Sequence, residues 1–234
     1  MFRRHPLPFV AMLLGVLLLP GHLRASSICF LPWDDEVAAR KIGFKTDGRI
    51  VEVTGLHPYK RTQPVAVTSG ESPLQIVALD RKGDDGNPAT IELKMNPNIK
   101  SPMVLLMPDP KSASGLRPLL IEDSLASFPW GTVRLLNATG KEFIIRHGKT
   151  VKLLPTNWTP VDIAPEDSAR NVGVQVVERN NTKAILYSAV WEQDPDMRKL
   201  VIVIPGTDAR SGLIGLKIVP EDNRALAAEE ASNN

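Results

Sequence analysis

The chain has 234 residues, 43% of them hydrophobic and 23% charged, with a formal net charge of +2. That length suits one large or two ordinary domains, and that composition excludes a disordered chain. Three of the 28 basic residues, Arg3, Arg4 and Arg24, precede residue 28 in a stretch without acids, so the remainder holds 25 basic against 26 acidic residues. No dense Lys/Arg cluster is left there, which argues against a nucleic-acid partner.

The chain opens with basic Met1-Phe-Arg-Arg-His5, an apolar run from Phe9 to Leu19, and small residues at Ala25-Ser-Ser27. Basic, apolar and small in that order predict a secretory signal peptide over residues 1–27, removed from an exported, periplasmic or extracellular protein. The apolar run is shorter than the roughly 20 residues of a membrane span, so no transmembrane segment is expected in the mature chain. Ile28 stands directly before Cys29, where a lipid-anchored bacterial protein carries a small residue. Cys29 is the only cysteine, so no internal disulfide can form.

From residue 28 onward short apolar runs alternate with turn residues, and 20 prolines against 16 glycines punctuate them. Ile28 to Trp33 is apolar and closed by Pro32. Val37 to Phe44 predicts a strand or a helical turn. Asp47-Gly48 marks a hairpin turn before the strand Ile50 to Val53, and strands follow at Val65 to Val67, Leu74 to Leu79 and Thr90 to Met95. Met103-Val-Leu-Leu-Met107 is apolar without alternation and reads as a strand buried on both faces. Leu119 to Glu122 completes about seven strands, the size of an immunoglobulin-like sandwich.

The second half opens on Phe128-Pro-Trp-Gly131. Val133 and Leu135, Phe143 and Ile145, and Val151 and Leu153 each alternate with polar residues around turns at Asn137-Ala-Thr-Gly140 and His147-Gly-Lys149. This pattern predicts a three-stranded meander with one apolar face that needs a second sheet over it. Thr156 to Arg170 reads as an irregular connection. Strands are expected at Val172 to Val177, Ile185 to Trp191, Leu200 to Ile204 (β-branched and central) and Ile214 to Ile218. The tail from residue 223 to 234 is expected to be disordered or a loose helix. The fold class is therefore all-β, an antiparallel β-sandwich. Two immunoglobulin-like domains in tandem, 28–124 and 128–222, are favoured over one larger sandwich mixing both halves.

Chemistry is sparse. His57 in a loop and His147 in a hairpin turn have no partners at metal or triad spacing, and no nucleophile elbow or Cys/His pairing is present. Asp80, Asp84, Asp85 and Asn87 lack the spacing of a calcium loop. No cofactor, metal or catalytic residue is assigned. The residues singled out for ligand binding are Trp158, in a proline-rich loop, with Asp162 and Glu166 nearby, since a flat ring can stack on a sugar face.

The leader, the strand-rich first half and the segment from Phe128 to Pro155 resemble secreted bacterial β-sandwich proteins whose function is not known. The two-sandwich layout also resembles periplasmic pilus chaperones, which cap subunits by lending a strand. Those carry a Pro-x-Asp-Arg-Glu-Ser type segment where this chain reads Leu116-Arg-Pro-Leu-Leu-Ile-Glu-Asp-Ser124. The reading that results is an exported, non-enzymatic binding or structural protein of the cell envelope, with an envelope protein or a glycan as partner. A carbohydrate-binding or carbohydrate-active protein and a chaperone-like protein are the alternatives.

Overall fold

A computed structural model describes residues 25–46, 48–68, 74–164, 170–206 and 212–232. These residues form an all-β protein of four stacked four-stranded sheets. In the first half the strands are β1 (Ala25–Pro32), β2 (Ile42–Thr46), β3 (Arg49–Glu52), β4 (Val65–Thr68), β5 (Leu74–Lys82), β6 (Pro88–Leu93), β7 (Pro102–Pro108) and β8 (Leu116–Glu122). A single turn of helix, α1 (Asp35–Ala38), follows β1 and is capped by the Asp34 carboxylate, which accepts from the Val37 N–H at 2.9 Å. In the second half they are β9 (Val133–Asn137), β10 (Phe143–His147), β11 (Thr150–Leu154), β12 (Val161–Ile163), β13 (Asn171–Glu178), β14 (Asn181–Glu192), β15 (Met197–Pro205) and β16 (Ile214–Asp222). Helix α2 (Asn223–Ser232) ends the described chain.

Each sheet draws on one half alone. The first half gives sheets ordered β3-β2-β5-β6 and β4-β1-β7-β8, and the second gives β11-β10-β13-β14 and β12-β9-β15-β16. Counted from the first strand of each half, the two orders are the same. So are the pairings: β1 lies parallel to β7 as β9 lies parallel to β15, and every other neighbour is antiparallel.

The registers extend this equivalence to single residues. Leu31 pairs with Leu105 as Leu136 pairs with Ile202, and Met103 with Ile121 as Leu200 with Val219. All eight side chains are buried in one apolar layer between the inner sheets β4-β1-β7-β8 and β12-β9-β15-β16. Their alternate neighbours point the other way. Phe30, Val104 and Leu106 fill the core of the first half, and their counterparts Leu135, Val201 and Val203 fill that of the second. Hence β7 and β15 have no wet side, which is why Met103–Met107 and Leu200–Ile204 are continuously apolar.

The structure departs from the predicted meander in two places. Strand β9 does not pair with β10 but crosses into the inner sheet, where all five of its residues are buried, Arg134 included. The β10–β11 hairpin forms as expected, yet His147 pairs with Thr150 across the turn, with Gly148 at φ 56°. That register turns Thr150, Lys152 and Leu154 toward the buried face of β10 and leaves Val151 and Leu153 outward, 62% and 40% exposed. The connection read as irregular contains β12, paired with β9. The tail read as disordered or loosely helical is α2, tied down by Asn223 N–H donating to the Asp196 carbonyl and by Lys60–Glu229 at 2.5 Å. His147, at the hairpin turn, is buried with its ring at 6.5 Å from Trp191.

The shared layer sets the first expected outcome. Ile202→Ala, at a fully buried position, should lower stability by about 2–5 kcal/mol in urea unfolding, whereas Val190→Ala on the exposed face of β14 should stay within about 0.5 kcal/mol of the parent.

Candidate functional site

At the end of the stack where β7 and β15 begin, a cleft of about 540 Å³ opens between the halves. Its walls come from the loop between β3 and β4, the start of β1 and β7, the residue after β8, the β15–β16 ladder and α2. The loop is held in place by Thr62, whose Oγ1 accepts from the Phe30 N–H at 2.9 Å while its own N–H donates to the Phe30 carbonyl at 3.0 Å. Further along the loop the Lys217 ammonium, from β16, donates to the Pro58 carbonyl and lies 4.4 Å from the Tyr59 ring centroid.

Four charged side chains close the floor of the cleft. Arg61 grips Asp123 with two donors, at 2.7 and 3.0 Å. Arg198 donates to the Glu221 carboxylate, its direct partner across the β15–β16 ladder, and to Asp123 at 3.2 Å, and Arg61 lies 3.8 Å from Glu221. All four are largely buried, so each depends on the others for the solvation that water would give. Arg198 also donates to the carbonyls of Asp123 (2.8 Å) and Phe128 (3.2 Å). From the second half, Arg134 donates to the carbonyls of Glu122 and Ser127 and holds Asp162 with two bonds of 2.7 Å. The Phe128 ring is fully buried with both guanidinium groups over it, its centroid 4.6 Å from Arg134 and 5.0 Å from Arg198. The segment joining the halves is thus held by two arginines of the second half, Arg134 and Arg198.

Cys29 stands beside this floor. Burial, and next the Asp123 charge, push its thiol up to about 12, so at neutral pH it is a protonated thiol and no nucleophile. Burial brings Lys217 down to about 8. Helix α2 forms the outer wall. Arg224 fixes its first turn to Asp222 and Asp194 at 2.8 Å each, whereas Glu229 reaches Lys60 at 2.5 Å and Gln63 at 3.5 Å across the mouth.

The residues singled out from the sequence lie elsewhere. Trp158 is half-buried against the shared layer, its ring 6.4 Å from that of Trp33 at 67°, and its backbone takes φ 61°, a strained value for a bulky residue. Asp162 is the partner of Arg134. Glu166 lies outside the described residues. Of the acidic loop, Asp80 binds Arg40 at 2.6 and 2.7 Å and Asp85 accepts from Asn87. Sequence reading missed Arg61, Asp123, Arg198 and Glu221. Only the Arg198–Glu221 pair carries a local signal, since it faces across one hairpin; Arg61 and Asp123 lie 62 residues apart within the first half, and they meet Arg198 and Glu221 only once the halves have packed.

No protein-family model matches the chain, and no curated protein matches it in sequence. Among solved structures it overlaps the two C2 domains of extended-synaptotagmin 2 at 8% identity and a TM-score of 0.25, over 94% of this chain and 98% of that one. It also overlaps a candidate cell adhesion protein of Bacteroides uniformis at 11% identity and a TM-score of 0.23, over 85% and 99%. Likenesses this loose carry no statement about activity or ligand.

Two outcomes are expected. Arg198→Met leaves Asp123 and Glu221 with Arg61 alone, and should cost about 3–5 kcal/mol in equilibrium unfolding. Stability should also respond to alkaline pH in two opposed ways. Between pH about 8 and 10.5 the unfolded chain keeps the Lys217 proton that the native state has released, so stability rises; Lys199, also lowered by burial, adds in that direction. From pH 9 the unfolded chain loses the Cys29 proton that the native state holds up to about 12, so stability falls. Thermal melts should show Lys217→Met with a smaller rise from pH 8 to 9, and Cys29→Ala with a rise that continues past pH 9.

Proposed function

We propose that the protein is an exported, non-enzymatic binding protein of the cell envelope that holds its ligand in the cleft between its two halves. The observation that carries this reading is a ligand-sized cavity whose charged floor is neutralised internally, Arg61 and Arg198 against Asp123 and Glu221. Groups that act as acids, bases or nucleophiles need accessible protons and pKa values near the working pH. Here the guanidinium groups and carboxylates are spent on one another and Cys29 stays a thiol. Such a floor suits holding more than proton transfer. The basic, apolar and small order of the first residues supports export.

A leader cut ahead of the β1–β4 ladder, rather than after Ser27, is the version of this reading that keeps the ladder whole. Ala25, Ser26 and Ser27 pair there with Thr68, Val67 and Ala66, so a cut after Ser27 would remove three of its four residue pairs. Expressed with its leader in a bacterial host, the chain should appear in the osmotic-shock fraction or the medium, with a new N-terminus at or before Ala25 by N-terminal sequencing. Full-length chain confined to the cytoplasm would overturn the export reading.

A further inference from the structure

The equivalence of the two halves supplies a template for what the cleft lacks. Glu122 pairs with Pro102 at the end of β8, and Pro220 with Lys199 near the end of β16, which makes Asp123 and Glu221 counterparts. Five residues beyond each stand Phe128, in the joining segment, and Leu226, in α2. Phe128 is a plug, fully buried with the Arg134 and Arg198 guanidinium groups over its ring. Leu226 is only half-buried, and the cleft of about 540 Å³ lies against it. By register, Cys29 takes the place that Arg134 has beside Phe128, and Ser101 the place of Arg198. Both are small, and both line the cleft. The chain fills one of two equivalent places with its own aromatic ring and leaves the other open.

The electrostatics of the opening narrow the occupant further. Arg61 donates to Asp123 through Nε and Nη2 with its Nη1 3.8 Å from Glu221, Arg198 donates to Asp123, Glu221 and two carbonyls, and Lys60 is committed to Glu229. An anionic or cationic ligand group would have to break one of these pairs to find its own partner, whereas an uncharged ring needs only apolar walls and a guanidinium plane. Met197, Pro102 and Leu226 line the cleft as apolar walls, and Arg61 brings a guanidinium group to the same lining.

From this we infer that the cleft is a ring-binding site that takes the uncharged aromatic group of a small organic molecule, seated beside Leu226, Cys29 and Arg61 as Phe128 is seated in the joining segment. The inference rests on the binding reading above and adds the class of ligand. A cavity of this volume exceeds one ring, so the remainder of the molecule extends toward Tyr59 and Gln63 at the mouth.

The test is a calorimetric titration of the processed chain with three probes: indole, cyclohexanol as an uncharged ring without π electrons, and indole-3-acetate. Indole should bind and raise Tm with concentration. Cyclohexanol should bind about 2–5-fold more weakly, the range expected for a cation–π contact, and indole-3-acetate more weakly than indole. Leu226→Phe, which gives the chain its second plug, should abolish indole binding and raise Tm by about 2–4 °C. Leu226→Ala should keep binding, which separates filling of the site from mere loss of Leu226. If cyclohexanol matches indole and Leu226→Phe blocks both, the aromatic preference is wrong while the cleft remains a binding site. If no probe binds and Leu226→Phe leaves Tm unchanged, both the inference and the binding reading fall.

Discussion

The structure depends on one constraint: two sheets that must each be dry on both faces. A sheet in a two-layer sandwich needs one apolar side. The inner sheets here also cover each other, so β1, β7, β9 and β15 carry buried side chains in both directions. Any backbone group or charge near that layer must find its partner inside the protein. The Arg61, Asp123, Arg198 and Glu221 cluster is the answer at the end where the joining segment passes, and the Arg134–Asp162 pair is the answer beside it.

Much of the architecture could be read from the chain. Continuous apolar runs at Met103–Met107 and Leu200–Ile204 marked the central strands, and the turn at His147-Gly-Lys149 marked the β10–β11 hairpin. Reading went astray where burial on two faces met a polar side chain. Thr132 and Arg134 alternate with Val133 and Leu135 just as on a half-exposed strand, but Arg134 faces a dry layer and brings Asp162 with it. The outward turn of Val151 and Leu153 came from the pairing of His147 with Thr150, which a period of two cannot specify. The candidate site was the least legible part. Its charges come from a loop, a strand end and a hairpin far apart in sequence, and the strongest cue in the sequence, Trp158 in a proline-rich loop, belongs to the packing between halves.

Because the halves repeat one another strand for strand, each position has an internal reference, and the departures locate what is particular to this protein. Cys29 stands where Arg134 would be expected, Leu226 where Phe128 would, and Lys217 where Leu119 would. All three departures fall on the β1–β16 side of the shared layer, the side that carries α2 and the cleft. On the β8–β9 side Arg134 and the fully buried Phe128 pack on each other instead.

The shared layer also imposes an order on assembly. The first half is complete at Glu122, but the face made by Leu31, Met103, Leu105 and Met107 has only part of its cover, Phe128 and Leu136, until β15 and β16 are made, and β16 ends 100 residues after Glu122 at Asp222. At the usual pace of synthesis, roughly 5–20 residues per second, those 100 residues take about 5–20 s, and the cover is incomplete for that time. A first half that folds ahead of its continuation is thus a sticky surface, open to other chains until the second half arrives.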